Sequence, residues 1–260
     1  PQMTVAELDE QINWEAEQHI PFDLSEVQID YQVLQERADQ GQMDVLLVAA
    51  KREEISDLTN LAVEARLRPM VVDLDAFAVQ NVFESGYPEL VDGQTVVLIH
   101  VGASLTTINI LSHGMTAFTR DIPTGGNRIT EEIQRALGVS LEEADSYKVG
   151  GEGGMVPQEV AMVINQSVDA LAGEVQRSLD FYLATSGDRG ISQIFVSGGT
   201  ANIGALVNAI AQRSRVNVEV LDPLRVANPD PKMDQTVLSG RTSSAVVAIG
   251  LALRKERERR

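Results

Sequence analysis

The run Val96-Val97-Leu98-Ile99-His100-Val101-Gly102-Ala103-Ser104-Leu105-Thr106-Thr107 constrains this chain more than any other. An apolar strand enters a turn of small residues and leaves along a second strand, so the two should pair as antiparallel neighbours. A third strand follows after another short glycine-bearing turn, and the pattern predicts strands over 95–101, 106–111 and 115–122. With no bulky side chain in the way, the N–H groups of the Gly-Ala-Ser turn could converge on an anion. A plain β-hairpin has the same pattern. A second junction, Ile194-Phe195-Val196-Ser197-Gly198-Gly199-Thr200-Ala201-Asn202-Ile203, reads as a buried strand ending in Gly-Gly before a helix. Nucleotides often meet backbone at such a junction, and an ordinary tight turn shares the pattern too.

Around these junctions strands and helices alternate. Thr4 with Glu7 three residues on is a capping box, opening a helix of about 15 residues that runs to His19. Strands are predicted over 27–34 and 45–50, the second apolar throughout and expected to be buried. A helix over 52–66, a short strand over 70–74 and a helix over 76–84 follow. After 115–122 come helices over 128–137 and 141–148, the latter capped by Ser140, and a glycine-rich loop over 150–154. One apolar face persists from 157 to 185, which predicts a helix roughly 43 Å long. The chain closes with a strand over 194–197, a helix over 203–213, a short strand near Val218, a Pro-rich irregular stretch and a helix from Ser243.

Composition excludes several classes of function. The 260 residues carry 38 acidic and 21 basic side chains, a formal charge of −17. Five of the basic residues lie in the last seven positions, so the rest of the chain is more acidic still and repels phosphate backbones. Nucleic acid is therefore not an expected partner. No cysteine is present, which removes disulfides, thiol catalysis and cysteine-based metal sites. The apolar runs fall well short of the roughly 20 residues that span a bilayer. His19 and His113 lack metal-ligand spacing, and Ser104 and Ser197 lack the nucleophile-elbow pattern of serine hydrolases. The pairs Glu131-Glu132 and Glu142-Glu143 read as solvated helix surface, and no catalytic residue is assigned.

Taken in order, the segments Glu17-Gln18-His19-Ile20-Pro21-Phe22-Asp23, Asp44-Val45-Leu46-Leu47-Val48-Ala49-Ala50-Lys51, Val71-Val72-Asp73-Leu74-Asp75-Ala76-Phe77-Ala78, Gly102-Ala103-Ser104-Leu105-Thr106-Thr107, Gly125-Gly126-Asn127, Ser197-Gly198-Gly199-Thr200-Ala201 and Ala248-Ile249-Gly250-Leu251-Ala252-Leu253-Arg254 resemble the actin-like ATPase superfamily. Within it they resemble the PilM family of type IV pilus assembly proteins, relatives of the division protein FtsA. The resemblance implies an α/β, actin-like (ribonuclease H-like) two-lobed fold with an FtsA/PilM-type α+β subdomain. The family's first phosphate loop would lie ahead of Pro1, so the N-terminal part of the first lobe is expected to be missing. The implied division is a small subdomain over 1–72, the remainder of the first lobe with the second phosphate hairpin over 73–123, a second lobe over 124–240, and a connecting helix with a basic tail over 241–260.

The implied cofactor is ATP with Mg²⁺, its binding weakened or lost without the first phosphate loop. Gly102, Ala103, Ser104 and Thr106 would face phosphate, Gly126 and Asn127 would contribute from the first connecting helix, and Gly198, Gly199 and Thr200 would approach the adenosine. Asp145 and Lys148, one helical turn apart, match the positions that face ribose and adenine; a solvated surface pair is the plainer alternative. His100 occupies the position where the family usually has an Asp that would hold Mg²⁺-bound water near the β- and γ-phosphates, and an imidazole suits a hydrated hard cation less well. The resemblance further implies a cytoplasmic scaffold, peripheral to the inner membrane, that docks the N-terminal cytoplasmic peptide of PilN. Other pilus inner-membrane and motor components, and self-association, belong to the same expectation, with weak or no ATP hydrolysis. An ATPase or phosphotransferase on this fold, or an FtsA-like filament former, are the alternatives.

Overall fold

The computed structural model describes residues 1–37, 39–151, 156–227, 229 and 242–254, and it divides into two compact units, Pro1–Val72 and Asp73–Arg260. The smaller unit begins with helix α1 (Val5–Glu17), whose capping box is complete: the Glu7 N–H donates to Thr4 Oγ1 at 3.3 Å and the Thr4 N–H to Glu7 Oε2 at 2.8 Å. Strands β1 (Val27–Arg37) and β2 (Gln42–Lys51) form a two-stranded antiparallel ribbon, and α2 (Arg52–Glu64) follows. The expectation that 45–50 is a buried strand is not met, because no residue of β2 is fully buried. A two-stranded ribbon with short helices lacks the mass to cover both of its faces. The strand expected over 70–74 is also absent: the segment lies in no sheet, and Met70, Val71, Val72 and Leu74 are exposed.

The larger unit is built on one five-stranded sheet in the order β5-β4-β3-β6-β7, with β3 (Thr95–Val101), β4 (Thr106–Ser112), β5 (Met115–Ile122), β6 (Gln193–Ser197) and β7 (Val218–Val220). The first three are antiparallel neighbours, whereas β6 runs parallel to β3 from Val96↔Gln193 to His100↔Ser197. The β4–β5 turn is tight, with His113 and Gly114 both at positive φ (52° and 78°), the geometry that matches strand twist in a two-residue hairpin.

Both faces of β3 are covered, which explains its unbroken apolar run. Val97, Ile99 and Val101 pack with α4 (Gly126–Leu137), α6 (Gln158–Ser186) and α7 (Gly204–Ser214), while Val96 and Leu98 pack with α3 (Asp75–Gly86) and the last helix, α8 (Val246–Leu253). α5 (Leu141–Lys148) begins where expected, with Ser140 Oγ accepting from the Glu143 N–H at 3.2 Å. The boundary expected between 123 and 124 is corrected by this sheet. Strands from 95–122 and 193–220 share one ladder and one pair of cores, so they cannot belong to separate lobes. The loop expected over 150–154 lies largely outside the described residues, as does the basic tail.

Leu179 sits fully buried on α6 in the core against β3. Leu179→Ala should lower stability by about 2–5 kcal/mol, read as a lower urea midpoint with an unchanged slope.

Candidate functional site

Three turns meet at the carboxyl end of β3. The hairpin turn closes on itself through the Gly102 N–H to the Leu105 carbonyl, 2.9 Å. Its own carbonyls then hold the start of α4: the Gly126 N–H donates to Gly102 O at 2.9 Å and the Asn127 N–H to Ala103 O at 2.8 Å. The Asn127 side-chain amide reaches Ser104 Oγ at 3.3 Å, and Thr106 Oγ1 donates to Thr124 O at 2.7 Å. From the turn that follows β6, Thr200 Oγ1 donates to the same Gly102 carbonyl at 3.3 Å. The turn therefore spends Gly102's N–H internally and presents Ala103 and Ser104 to solvent.

The glycines are required by this closeness. A Cβ on Gly125 would fall 2.5 Å from Gly102 O and 2.6 Å from Ala103 O, and one on Gly126 would fall 2.5 Å from Thr200 Oγ1. Gly198, at φ 91°, would place a Cβ 2.3 Å from Val101 O, so both its dihedral angle and its surroundings demand glycine. Gly199 is exposed beside it.

Next to this junction α4 and α5 form a cleft of about 510 Å³ lined by Asn127, Thr130, Glu131, Leu141, Glu142 and Asp145. Asp145 faces the cleft, and Lys148 is ion-paired with it while donating to Thr130 Oγ1 at 2.8 Å. The hydrogen bond from Lys148 holds the Asp145 carboxyl below the usual aspartate range, with burial opposing. Glu131 and Glu142, read from sequence as plain surface, line the cleft together with Thr130. The spacing 127-130-131 on α4 and 141-142-145 on α5 was the available signal, since each set falls on one helical face.

His100 is half-buried, with Nδ1 3.0 Å from Ser197 Oγ across the β3–β6 ladder. Burial pushes its pKa below the ordinary histidine value, against the pull of the Asp75 charge at the start of α3, so the ring is neutral at pH 7. Ser197 is itself buried, which makes this serine–histidine contact a packing feature rather than an exposed nucleophile. Among the described residues no group of three or more His, Cys, Asp or Glu side chains could hold a metal ion. A separate hollow of about 420 Å³ in the small unit is polar and internally bonded, with Tyr31 Oη donating to Asp9 at 2.5 Å and Arg52 to Gln28 at 2.8 Å.

Over residues 2–256 the chain matches the family profile described as type IV pilus assembly protein PilM. The chain belongs to the PilM family. It also resembles the solved PilM-PilN type IV pilus biogenesis complex, with 26% identity and a TM-score of 0.83 over 98% of this chain and 74% of that one. The ethanolamine utilization protein EutJ from Carboxydothermus hydrogenoformans (18% identity, TM-score 0.58) and MreB 5 of Spiroplasma citri bound to AMPPNP (16%, 0.54) share the actin-like fold over 78% of this chain, which covers 62% and 64% of theirs. Cell division protein FtsA of Bacillus subtilis (strain 168) is 43% identical over 53 residues, 20% of this chain and 12% of FtsA. Among the described residues no helix is long and apolar enough to cross a membrane.

Two measurements test this geometry. Gly125→Ala should cost about 1–3 kcal/mol because the methyl meets backbone, whereas Gly190→Ala, with open space around it, should stay within about 0.5 kcal/mol. In a carboxyl NMR titration Asp145 should lose its proton below the usual aspartate range, and Lys148→Met should move that pKa upward by removing the cation.

Proposed function

We propose that this chain is an actin-like, nucleotide-binding scaffold of the type IV pilus assembly complex at the inner membrane. In this reading it docks the N-terminal cytoplasmic peptide of PilN and hydrolyses ATP weakly or not at all. The observation that carries it is the family match over nearly the whole chain together with the likeness to the PilM-PilN complex. Contact with the membrane is then indirect, through the partner, and other pilus inner-membrane and motor components assemble on the same protein.

The residues of the cleft fit a nucleoside. Asp145, Glu131 and Glu142 accept hydrogen bonds from ribose hydroxyls or an exocyclic amine, and Leu141 offers an apolar wall. Three carboxylates make it a poor phosphate site, so the phosphates belong toward the exposed Ala103-Ser104 turn and Gly199, where backbone rather than acid is presented. The metal end fits less well, because His100 is neutral and already bonded to Ser197, where a hydrated divalent cation needs charged oxygen. No residue at the junction is placed as a general base. A bound nucleotide would act as a structural ligand, stabilising the junction through its preference for the folded site.

Calorimetry of this chain with a peptide copying the cytoplasmic N-terminus of PilN, with and without Mg-ATP, tests the reading. Micromolar or tighter binding that shifts when nucleotide is added is the expected result, and the shift measures the coupling between the two sites. Absence of binding to this chain and to one extended at its N-terminus removes peptide docking and favours an ATPase role. ATP-dependent sedimentation without peptide binding points instead to an FtsA-like filament former.

A further inference from the structure

The last helix is tied to its surroundings at three points. In the short turn Thr242–Ala245 just before it, the Ser243 carbonyl accepts the Gly198 N–H at 2.9 Å, and Ser243 Oγ donates to Asn202 Oδ1 at 3.1 Å. Midway, Gly250 lies so close to α3 that a Cβ would fall 1.8 Å from the Ala78 carbonyl oxygen. At its end Arg254 Nη1 stands 3.4 Å from Oδ2 of Asp73, a side chain only 4% exposed. That oxygen has no hydrogen-bond partner among the described residues, while Oδ1 accepts the Leu74 N–H at 2.9 Å.

A carboxylate oxygen removed from water and given no hydrogen bond depends on a nearby cation. Arg254 supplies that cation, so the buried acid at the head of α3 pins the far end of α8. The first half of the helix is anchored by buried Val246, whereas in the second half Leu251 is exposed and only the half-buried Leu253 packs against the core, so the ion pair and the close Gly250 contact add to a thin apolar hold. The Gly198 turn is gripped between two carbonyls. On one side stands Val101 O, fixed in the sheet; on the other stands the carbonyl of buried Ser243, in the turn Thr242–Ala245 that runs directly into α8.

We propose that Asp73 is a positioning residue for the Gly198–Gly199 turn, acting through Arg254 and α8. The ion pair latches α8 onto α3, and the latched helix sets where Ser243 holds the turn. The consequence for ligand rests on the nucleotide reading of that turn; the latch itself does not.

Hydrogen exchange on the whole chain, read by mass spectrometry for Asp73→Asn, Arg254→Gln and the double variant, tests it. Each single variant should lose about tenfold in protection over 198–202 and 246–253, with 95–112 unchanged and Asp73→Asn adding no further loss in the Arg254→Gln background, as expected if Asp73 acts through Arg254. Gly250→Ala, which must push α8 off α3, should give the same signature. Additive losses in the double variant, equal loss over 95–112, or unchanged protection over 198–202 would overturn the latch. With ADP as probe, the variants should bind about tenfold more weakly, within the usual range of coupling between sites. Equal ADP affinity overturns the link to ligand. Failure of ADP to bind even the unsubstituted chain defeats the nucleotide reading alone, and exchange still decides the latch.

Discussion

The parallel ladder between β3 and β6 is the constraint on which the larger unit depends. It pairs Val96 through His100 with Gln193 through Ser197 and so brings two turns distant in sequence, at Gly102 and Gly198, to the same end of the sheet. Once they are there, the Gly102 carbonyl accepts from both α4 and Thr200, and close approach leaves room only for glycine at 125, 126 and 198. Both faces of β3 are then occupied, one by α4, α6 and α7 and the other by α3 and α8. Loss of this ladder would separate the turns and split the two cores at once. The order of events is physical: apolar run, buried strand, shared sheet end, converging backbone.

Much of this was legible in the residues. The bounds of β3, β5 and α5 follow from period and capping, and the long helix from its single apolar face, because those signals are local and strong. What stayed hidden was non-local. Periodicity cannot say that a strand near 95 pairs with one near 193, so the expected boundary at 123/124 fell inside one sheet. The segment 70–74 has strand-like residues but no neighbour to pair with, and composition cannot supply one. At the site, Gly102, Ala103, Ser104, Gly126, Asn127, Gly198 and Thr200 were foreseen and do lie together, whereas the part played by Gly125, Thr130, Glu131 and Glu142 emerges only when α4 and α5 are seen to face one cleft. Asp73 stands in one of the segments that carry the family resemblance, but nothing in the sequence pairs it with Arg254, 181 positions on, or shows its side chain to be buried.

The chemistry of the junction is divided. Its cleft is acidic, matching donors on a nucleoside, and its turns present backbone, matching phosphate. The histidine at the strand end is neutral and engaged with Ser197. Both parts are compatible with the proposed nucleotide-binding role in a pilus assembly family.

The central claim is that nucleotide sits at this junction, and amide chemical shifts during an ADP titration test it most directly. The account predicts saturable shifts concentrated at Ala103, Ser104, Asn127, Asp145 and Gly199, with the small unit's Tyr31 and Arg52 unmoved. Shifts centred elsewhere, or none at millimolar ADP, would contradict it.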